Sequence, residues 1–196
     1  MASSPIIWGR ILESVNRPWV LWAGFLWGFA EATLFFVVPD VLLTFVALYS
    51  PGRSVKLIGM ILVGGLAGGT LMFYLGAKNT ERAEAVVLRV PFVSAGMFEK
   101  THSGFERDGI WTLAKAPGNG IPYKVYCLQA SRYAGWGKFI VVSTLARLER
   151  FALFWLVSVL IGLAFRQRIQ RKPLIPALAH LSLWISGYAW YWSNVG

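Results

Sequence analysis

The sequence predicts an all-α polytopic membrane protein: two opposed re-entrant helical hairpins in an inverted repeat, plus spanning helices and an N-terminal amphipathic helix. The 196 residues are 56% hydrophobic with mean hydropathy +0.55, which is typical of polytopic membrane proteins. Pro39 and Pro122 each interrupt a long apolar run. Ionisable residues also lie inside apolar runs, where hydrocarbon disfavours each by about 3 kcal/mol unless it faces a polar cavity.

Residues 1–17 predict an interfacial amphipathic helix. Ser3, Ser4 and Pro5 form a reasonable helix start, and the apolar residues that follow leave Arg10 and Arg17 on a polar side.

The run from about 19 to 49 predicts the first re-entrant hairpin. As one helix it would be about 46 Å long, against a hydrocarbon core of about 30 Å. Pro39 offers the break at the tip of the hairpin.

Residues 55–77 predict the first full span. This segment carries overlapping GxxxG pairs, Gly64 with Gly68 and Gly65 with Gly69, which we interpret as close helix packing in preference to ligand contact. The polar stretch 78–108 predicts short amphipathic helices outside the membrane.

The second half repeats this order. Residues 110–132 are apolar but broken by glycines and by Pro122, and they predict a second re-entrant hairpin. A span over about 137–166 follows, then a basic loop, then a C-terminal transmembrane helix over 173–195. Short, interrupted segments at matching places in two halves indicate a transporter with inverted repeats.

Charge favours one of two topologies. If residues 19–49 return to the side they came from, the N-terminal helix, Arg53, Lys56 and the loop 166–172 share one basic side, which is the cytoplasm by the positive-inside rule. If residues 19–38 cross instead, Arg53 and the basic loop lie outside, against that rule. We favour the first arrangement, in an integral membrane protein whose basic loops lie in the cytoplasm.

The two hairpin acids have two interpretations of equal weight. Glu31 and Asp40 could relay protons, because low dielectric disfavours their charged forms and a nearby base restores them. They could instead form structural ion pairs with Lys124, Arg147 or Arg150.

The three bases are candidate ligands for a substrate phosphate. Arg147 and Arg150 share a helix face and could hold phosphate with forked donors, or could pair with Glu149 or with the hairpin acids. Lys124 could hold phosphate as a point charge or snorkel to the membrane interface.

At these residues the chain resembles the DedA family, also called the VTT or SNARE-associated domain family, and its YqaA-like branch in particular. The resemblance covers roughly 18–166 and rests on five stretches: Phe29-Ala30-Glu31, Val38-Pro39-Asp40-Val41-Leu42-Leu43, the glycines with Tyr74 and Gly76, Ile121-Pro122-Tyr123-Lys124-Val125-Tyr126, and Ala146-Arg147-Leu148-Glu149-Arg150-Phe151. It implies two facing re-entrant hairpins and lipid flipping or scrambling, in some members linked to the proton gradient. Family acids correspond to Glu31 and Asp40, and family bases to Lys124, Arg147 and Arg150.

The function that follows is membrane lipid translocation, flippase- or scramblase-like, of a phospholipid or a polyprenyl phosphate, with proton coupling open. The alternative is a proton-coupled transporter of small ions or solutes involved in membrane homeostasis. We expect that the chain is not an enzyme. Its sequence has neither the histidines at useful spacing for a phosphohydrolase nor the clustered aspartates of a metal-dependent transferase. We also expect no cofactor, metal or nucleic acid: membrane lipids and protons are the expected partners, and a homo-oligomer is left open.

Overall fold

The structure is a computed structural model that describes the backbone of residues 4–195 and the side chains of residues 5–116 and 119–194. The described residues are mostly helical and contain no strand, so the predicted all-α class is confirmed. The α-helices are α1 (Ser4–Asn16), α2 (Trp19–Thr33), α3 (Asp40–Tyr49), α4 (Pro51–Lys78), α5 (Thr80–Val87), α6 (Ala95–Asp108), α7 (Tyr123–Ala130), α8 (Trp136–Ala164), α9 (Arg166–Arg171) and α10 (Leu174–Val195). A 3-10 helix, Gly109–Gly118, precedes α7.

The chain from Trp19 to Tyr49 leaves one end of the molecule and returns to it. Helix α2 ends at Thr33, and α3 begins at Asp40, directly after Pro39. Arg53 at the start of α4 donates a hydrogen bond to the carbonyl oxygen of Arg17, at 2.7 Å, just before α2 begins. The start of α2 and the end of α3 therefore lie together, as in the predicted re-entrant hairpin.

Helix α4 is the central helix, and its glycines allow close packing. A Cβ on Gly68 would lie 2.7 Å from the carbonyl oxygen of Phe29 in α2, and a Cβ on Gly64 would overlap the backbone of Phe25. Because residues further along α4 contact residues further along α2, the two helices run parallel. The interpretation of the glycine pairs as packing positions is confirmed.

The second broken segment approaches from the other end. Helix α7 runs parallel to α4, since Gly69 faces Tyr123 and Gly76 faces the backbone of Leu128. The 3-10 helix and α7 meet at a turn in which Gly120 has a φ of +75°, a conformation that favours glycine. Sequence periodicity predicts neither the 3-10 geometry nor the shortness of α7.

One end of the molecule gathers most of the basic segments. Helix α1 packs against α9, and the hydroxyl of Tyr49 donates to the carbonyl oxygen of Pro173 at 2.7 Å. Arg17, Arg53 and α9 thus share what we call the basic end, as the favoured topology requires. The opposite end carries Lys78, where α4 ends. Helix α1 lies where the amphipathic helix is predicted, and the proposed start at Ser3 falls outside the described residues.

The outer surface of the helices is strongly apolar. On α10, for example, Leu183 is 71% exposed and Trp190 is 67% exposed, and α8 presents a similar face. By length and composition one described helix, α4, could cross a membrane, and a core helix of a soluble protein would meet that criterion too. The polytopic membrane arrangement therefore stays a prediction.

Candidate functional site

A buried ion pair joins the first hairpin to α8. Arg147 donates from Nη2 to a carboxylate oxygen of Glu31 at 2.9 Å, and the two side chains are 8% and 6% exposed. The guanidinium also lies over the ring of Tyr123, 4.5 Å from its centroid, where it gains a cation–π contact. Gly65 makes room for this group, because a Cβ there would lie 2.8 Å from Arg147 Nη2.

A second pair lies one helical turn further along α8. Arg150 donates from both Nε and Nη2 to the two carboxylate oxygens of Asp40, which is fully buried. Asp40 is the first residue of α3, where the helix dipole favours a negative charge. The forked geometry uses the planar donor set that distinguishes Arg from Lys.

Lys124 is the third base of this region, and it differs from the two arginines in its partner. Its side chain is buried, with a relative exposure of 1%, and Nζ donates to the carbonyl oxygen of Phe35 at 2.7 Å. Among the described side chains it makes no ion pair. Snorkelling to the interface is therefore wrong for Lys124, which instead links the second hairpin tip to the first.

The structure brings all five sequence-predicted charges to the space between the hairpin tips. Two carboxylates, Glu31 and Asp40, face three bases, Lys124, Arg147 and Arg150. With every group ionised, this cluster, which we call the tip cluster, carries one excess positive charge. An excess positive charge in such a site attracts anions.

Other charged or titratable candidates lie elsewhere. Glu149 is exposed on α8 and pairs with neither arginine, so the hairpin acids are the partners of Arg147 and Arg150. His102 lies in α6 and hydrogen-bonds to the hydroxyl of Tyr133 at 2.5 Å. Cys127 is fully buried and packs as a small apolar residue.

A cavity of about 390 Å³ opens beside the tip cluster. Glu31, Lys124 and Arg150 line it together with apolar and aromatic groups from both tips and from α10. Its volume falls within the usual range for ligand pockets, roughly 300–1,000 Å³. The arrangement of a few converging polar groups in apolar walls is also typical of such pockets.

Helix α10 closes one side of this cavity, and sequence reasoning missed its part in the site. The hydroxyl of Tyr188 accepts a hydrogen bond from the backbone N–H of Val38 at 2.8 Å, and that of Tyr191 donates to the carbonyl oxygen of Gly120 at 2.8 Å. Helix α10 therefore ties both tips together. The sequence pattern that could have indicated this role is a spacing of four residues along α10. It places four ring-bearing side chains in one aromatic ladder: His180, Trp184, Tyr188 and Trp192.

Further polar atoms near the tip cluster lack partners. Tyr123 Oη, Ser143 Oγ and Arg147 Nε are buried and make no hydrogen bond among the described residues. Tyr123 also lines the cavity. The site thus retains donors and acceptors beyond its two ion pairs. No group of three or more His, Cys, Asp or Glu among the described residues is arranged to hold a metal ion.

Comparison with known proteins identifies similarity but no function. No family model matches the chain. It is 28% identical over 160 residues to an uncharacterized protein of Haemophilus influenzae, an alignment that covers 81% of this chain and 82% of the relative. No solved structure matches.

Proposed function

We propose that this chain is a membrane lipid translocase that moves lipids with anionic phosphate headgroups between the leaflets of a bilayer. The observation that carries the proposal is the buried tip cluster beside a cavity between two opposed hairpins. In this cluster Lys124 is a cation that pairs with no carboxylate among the described side chains. A phosphate headgroup supplies the missing negative charge, and arginine and lysine are its usual ligands.

The opposed hairpins suggest how a headgroup would reach the cluster from either leaflet. One hairpin starts at the basic end and the other starts at the opposite end, with their tips touching through Lys124 and Phe35. Broken segments that meet near the middle of a bilayer are typical of transporters with inverted repeats. Small movements of one tip would open the cavity to one side at a time.

The apolar exterior supports a bilayer location. A soluble monomer rarely exposes contiguous apolar patches larger than a few hundred square ångströms, whereas α8 and α10 present large hydrophobic side chains along most of their lengths. We place the protein in the bacterial inner membrane with its basic end in the cytoplasm, in keeping with the resemblance to the DedA family.

Proton coupling would use the same acids. When a headgroup phosphate takes the donors of Arg147 or Arg150, it would leave Glu31 or Asp40 without its arginine partner. The competing proposal, a proton-coupled transporter of small ions or solutes, uses these charges in the same way. The two differ in substrate: a lipid must also slide its acyl chains along an apolar face.

The test is a translocation assay in liposomes containing purified protein. Fluorescent phosphatidylglycerol in the inner leaflet becomes accessible to an external quencher only if it is moved, with and without a pH gradient. We expect faster exchange with protein than without, and loss of most of this exchange in Asp40→Asn. Glu99→Gln is the matched control, since Glu99 is an exposed acid outside the cluster. Uptake of small anions without lipid exchange would support the competing function instead.

A further inference from the structure

A second cavity, of about 500 Å³, lies away from the tip cluster, between the end of α2, the end of α4 and α5. We call it the α4–α5 groove and define it by Leu34, Leu71, Leu75, Lys78, Arg82 and Val86, all of which line it. The groove opens on the outer surface, where Leu34 is 57% exposed and Leu71 is 45% exposed.

The groove changes from apolar to basic along its length. Leu71, Leu75 and Lys78 follow one face of α4 at spacings of four and three residues, and Arg82 continues the line on α5. An apolar stripe that ends in two exposed cations matches the boundary between acyl chains and headgroups at a bilayer surface. The long side chain of Lys78 at the end of α4 is also favoured by the helix dipole.

The two cations are free to bind a ligand. Neither the Lys78 ammonium nor the Arg82 guanidinium makes a hydrogen bond or ion pair with any described residue. Arg82 donates only its backbone N–H, to the side-chain oxygen of Asn79. The nearby acid Glu84 turns away, and its carboxylate accepts from Gln129 at 3.4 Å. No carboxylate among the residues that line the groove therefore neutralises Lys78 and Arg82.

We propose that the α4–α5 groove binds one anionic phospholipid, with its phosphate between Lys78 and Arg82 and an acyl chain along Leu71 and Leu75. The proposal rests on the proposed function for the presence of a membrane, and it adds a second lipid site at the end opposite the basic end. Leu34 in the wall of the groove is followed directly by Phe35, whose carbonyl oxygen accepts a hydrogen bond from Lys124, so the first hairpin tip connects the groove to the tip cluster along the chain.

The experiment measures lipid binding by the full-length protein in detergent micelles, using native mass spectrometry. The probes are dioctanoyl phosphatidylglycerol, dioctanoyl phosphatidylcholine and glycerol 3-phosphate. We expect phosphatidylglycerol to bind more tightly than phosphatidylcholine, whose choline balances its phosphate. Lys78→Gln/Arg82→Gln should weaken phosphatidylglycerol roughly tenfold or more, since each base near a bilayer contributes attraction to anionic lipid.

The matched control is Lys100→Gln/Lys138→Gln, which removes two exposed charges at the same end without touching the groove. Equal weakening in both double variants, or no weakening in either, would overturn the proposal. Arg82→Glu gives an independent readout and should make phosphatidylglycerol bind less tightly than phosphatidylcholine. Displacement of the lipid by equimolar glycerol 3-phosphate would identify a free-phosphate site, and would also overturn it.

These outcomes are separate from those of the translocation assay. Binding in micelles requires no movement between leaflets, so a wild-type protein that binds in the groove but moves no lipid would contradict only the proposed function. A protein that moves lipid but shows no dependence on Lys78 and Arg82 would contradict only the groove.

Discussion

At the residue scale, charge placement predicted which side chains come together but not how they pair. Glu31, Asp40, Lys124, Arg147 and Arg150 stand out because each interrupts an apolar run, and the structure brings all five together. Which acid meets which arginine depends on how α2, α3 and α8 pack, and no spacing within the chain contains that information.

The two parallel hydrogen bonds from Arg150 to Asp40 predict that lysine at position 150 lowers both stability and activity. Arg150→Lys removes one of two parallel hydrogen bonds to a fully buried carboxylate, and lysine is harder to desolvate. We expect a loss of about 2 kcal/mol in unfolding free energy, measured by thermal unfolding in detergent, with reduced lipid translocation.

Arg89→Lys is the matched control for this variant, because Arg89 is exposed and pairs with no acid among the described residues. It should behave as wild type. Wild-type stability and activity in Arg150→Lys would remove Arg150 from the site.

The Glu31–Arg147 pair predicts strong coupling in a double-mutant cycle. Glu31→Leu leaves a buried guanidinium uncompensated, at about 3–5 kcal/mol, whereas Glu31→Leu/Arg147→Met removes both charges and should cost much less than the sum of the single changes. Chemical unfolding of the three variants in detergent measures the coupling.

The exposed pair Glu13–Arg17, with side chains 65% and 60% exposed, supplies the comparison. Its coupling should be negligible beside that of the buried pair, because solvent screens exposed charges. Additive effects at Glu31 and Arg147 would mean that the pair is not buried as described.

At the element scale, the glycines of α4 were predicted as packing positions, but their division between two faces was not. Gly64 and Gly68 face α2, whereas Gly65 and Gly69 face Arg147 and Tyr123. A GxxxG spacing identifies a smooth helix face without naming what lies against it. The aromatic ladder of α10 was likewise visible as a spacing, but only the fold shows that it ties the tips together.

Single alanines in α4 test this packing. Gly64→Ala and Gly68→Ala each place a Cβ against the backbone of α2, so we expect lower thermal stability by roughly 1–3 kcal/mol. Gly59→Ala is the control, because nothing lies within 4 Å of a Cβ there and alanine favours a helix over glycine. Equal or raised stability in all three variants would contradict the close contact between α2 and α4.

At the scale of the whole molecule, charge asymmetry predicted which segments share one end. Arg53 and the loop 166–172 were predicted to share one side, and hydrogen bonds and helix contacts place both at the basic end. The 3-10 helix before α7 was beyond prediction, since its geometry is set by packing against α6 and α8 and not by periodicity.

Cysteine labelling in intact cells tests the membrane topology. In a Cys127→Ser background, Arg53→Cys and Arg171→Cys should both resist an impermeant maleimide until the cells are permeabilised. Lys100→Cys, in α6 and exposed, should react from outside at once. Reaction of position 53 from outside with position 171 protected would contradict the re-entrant first hairpin.

The most direct test of the central claim, that excess positive charge between the hairpin tips selects anionic lipid, is the headgroup preference of Lys124→Met. The measurement is the ratio of translocation rates for phosphatidylglycerol and phosphatidylcholine in liposomes, compared with wild type and with Lys100→Met. Because the variant keeps both ion pairs but removes the unbalanced cation, the ratio should fall toward one, while Lys100→Met keeps the wild-type preference. A wild-type ratio and rate in Lys124→Met would contradict the account.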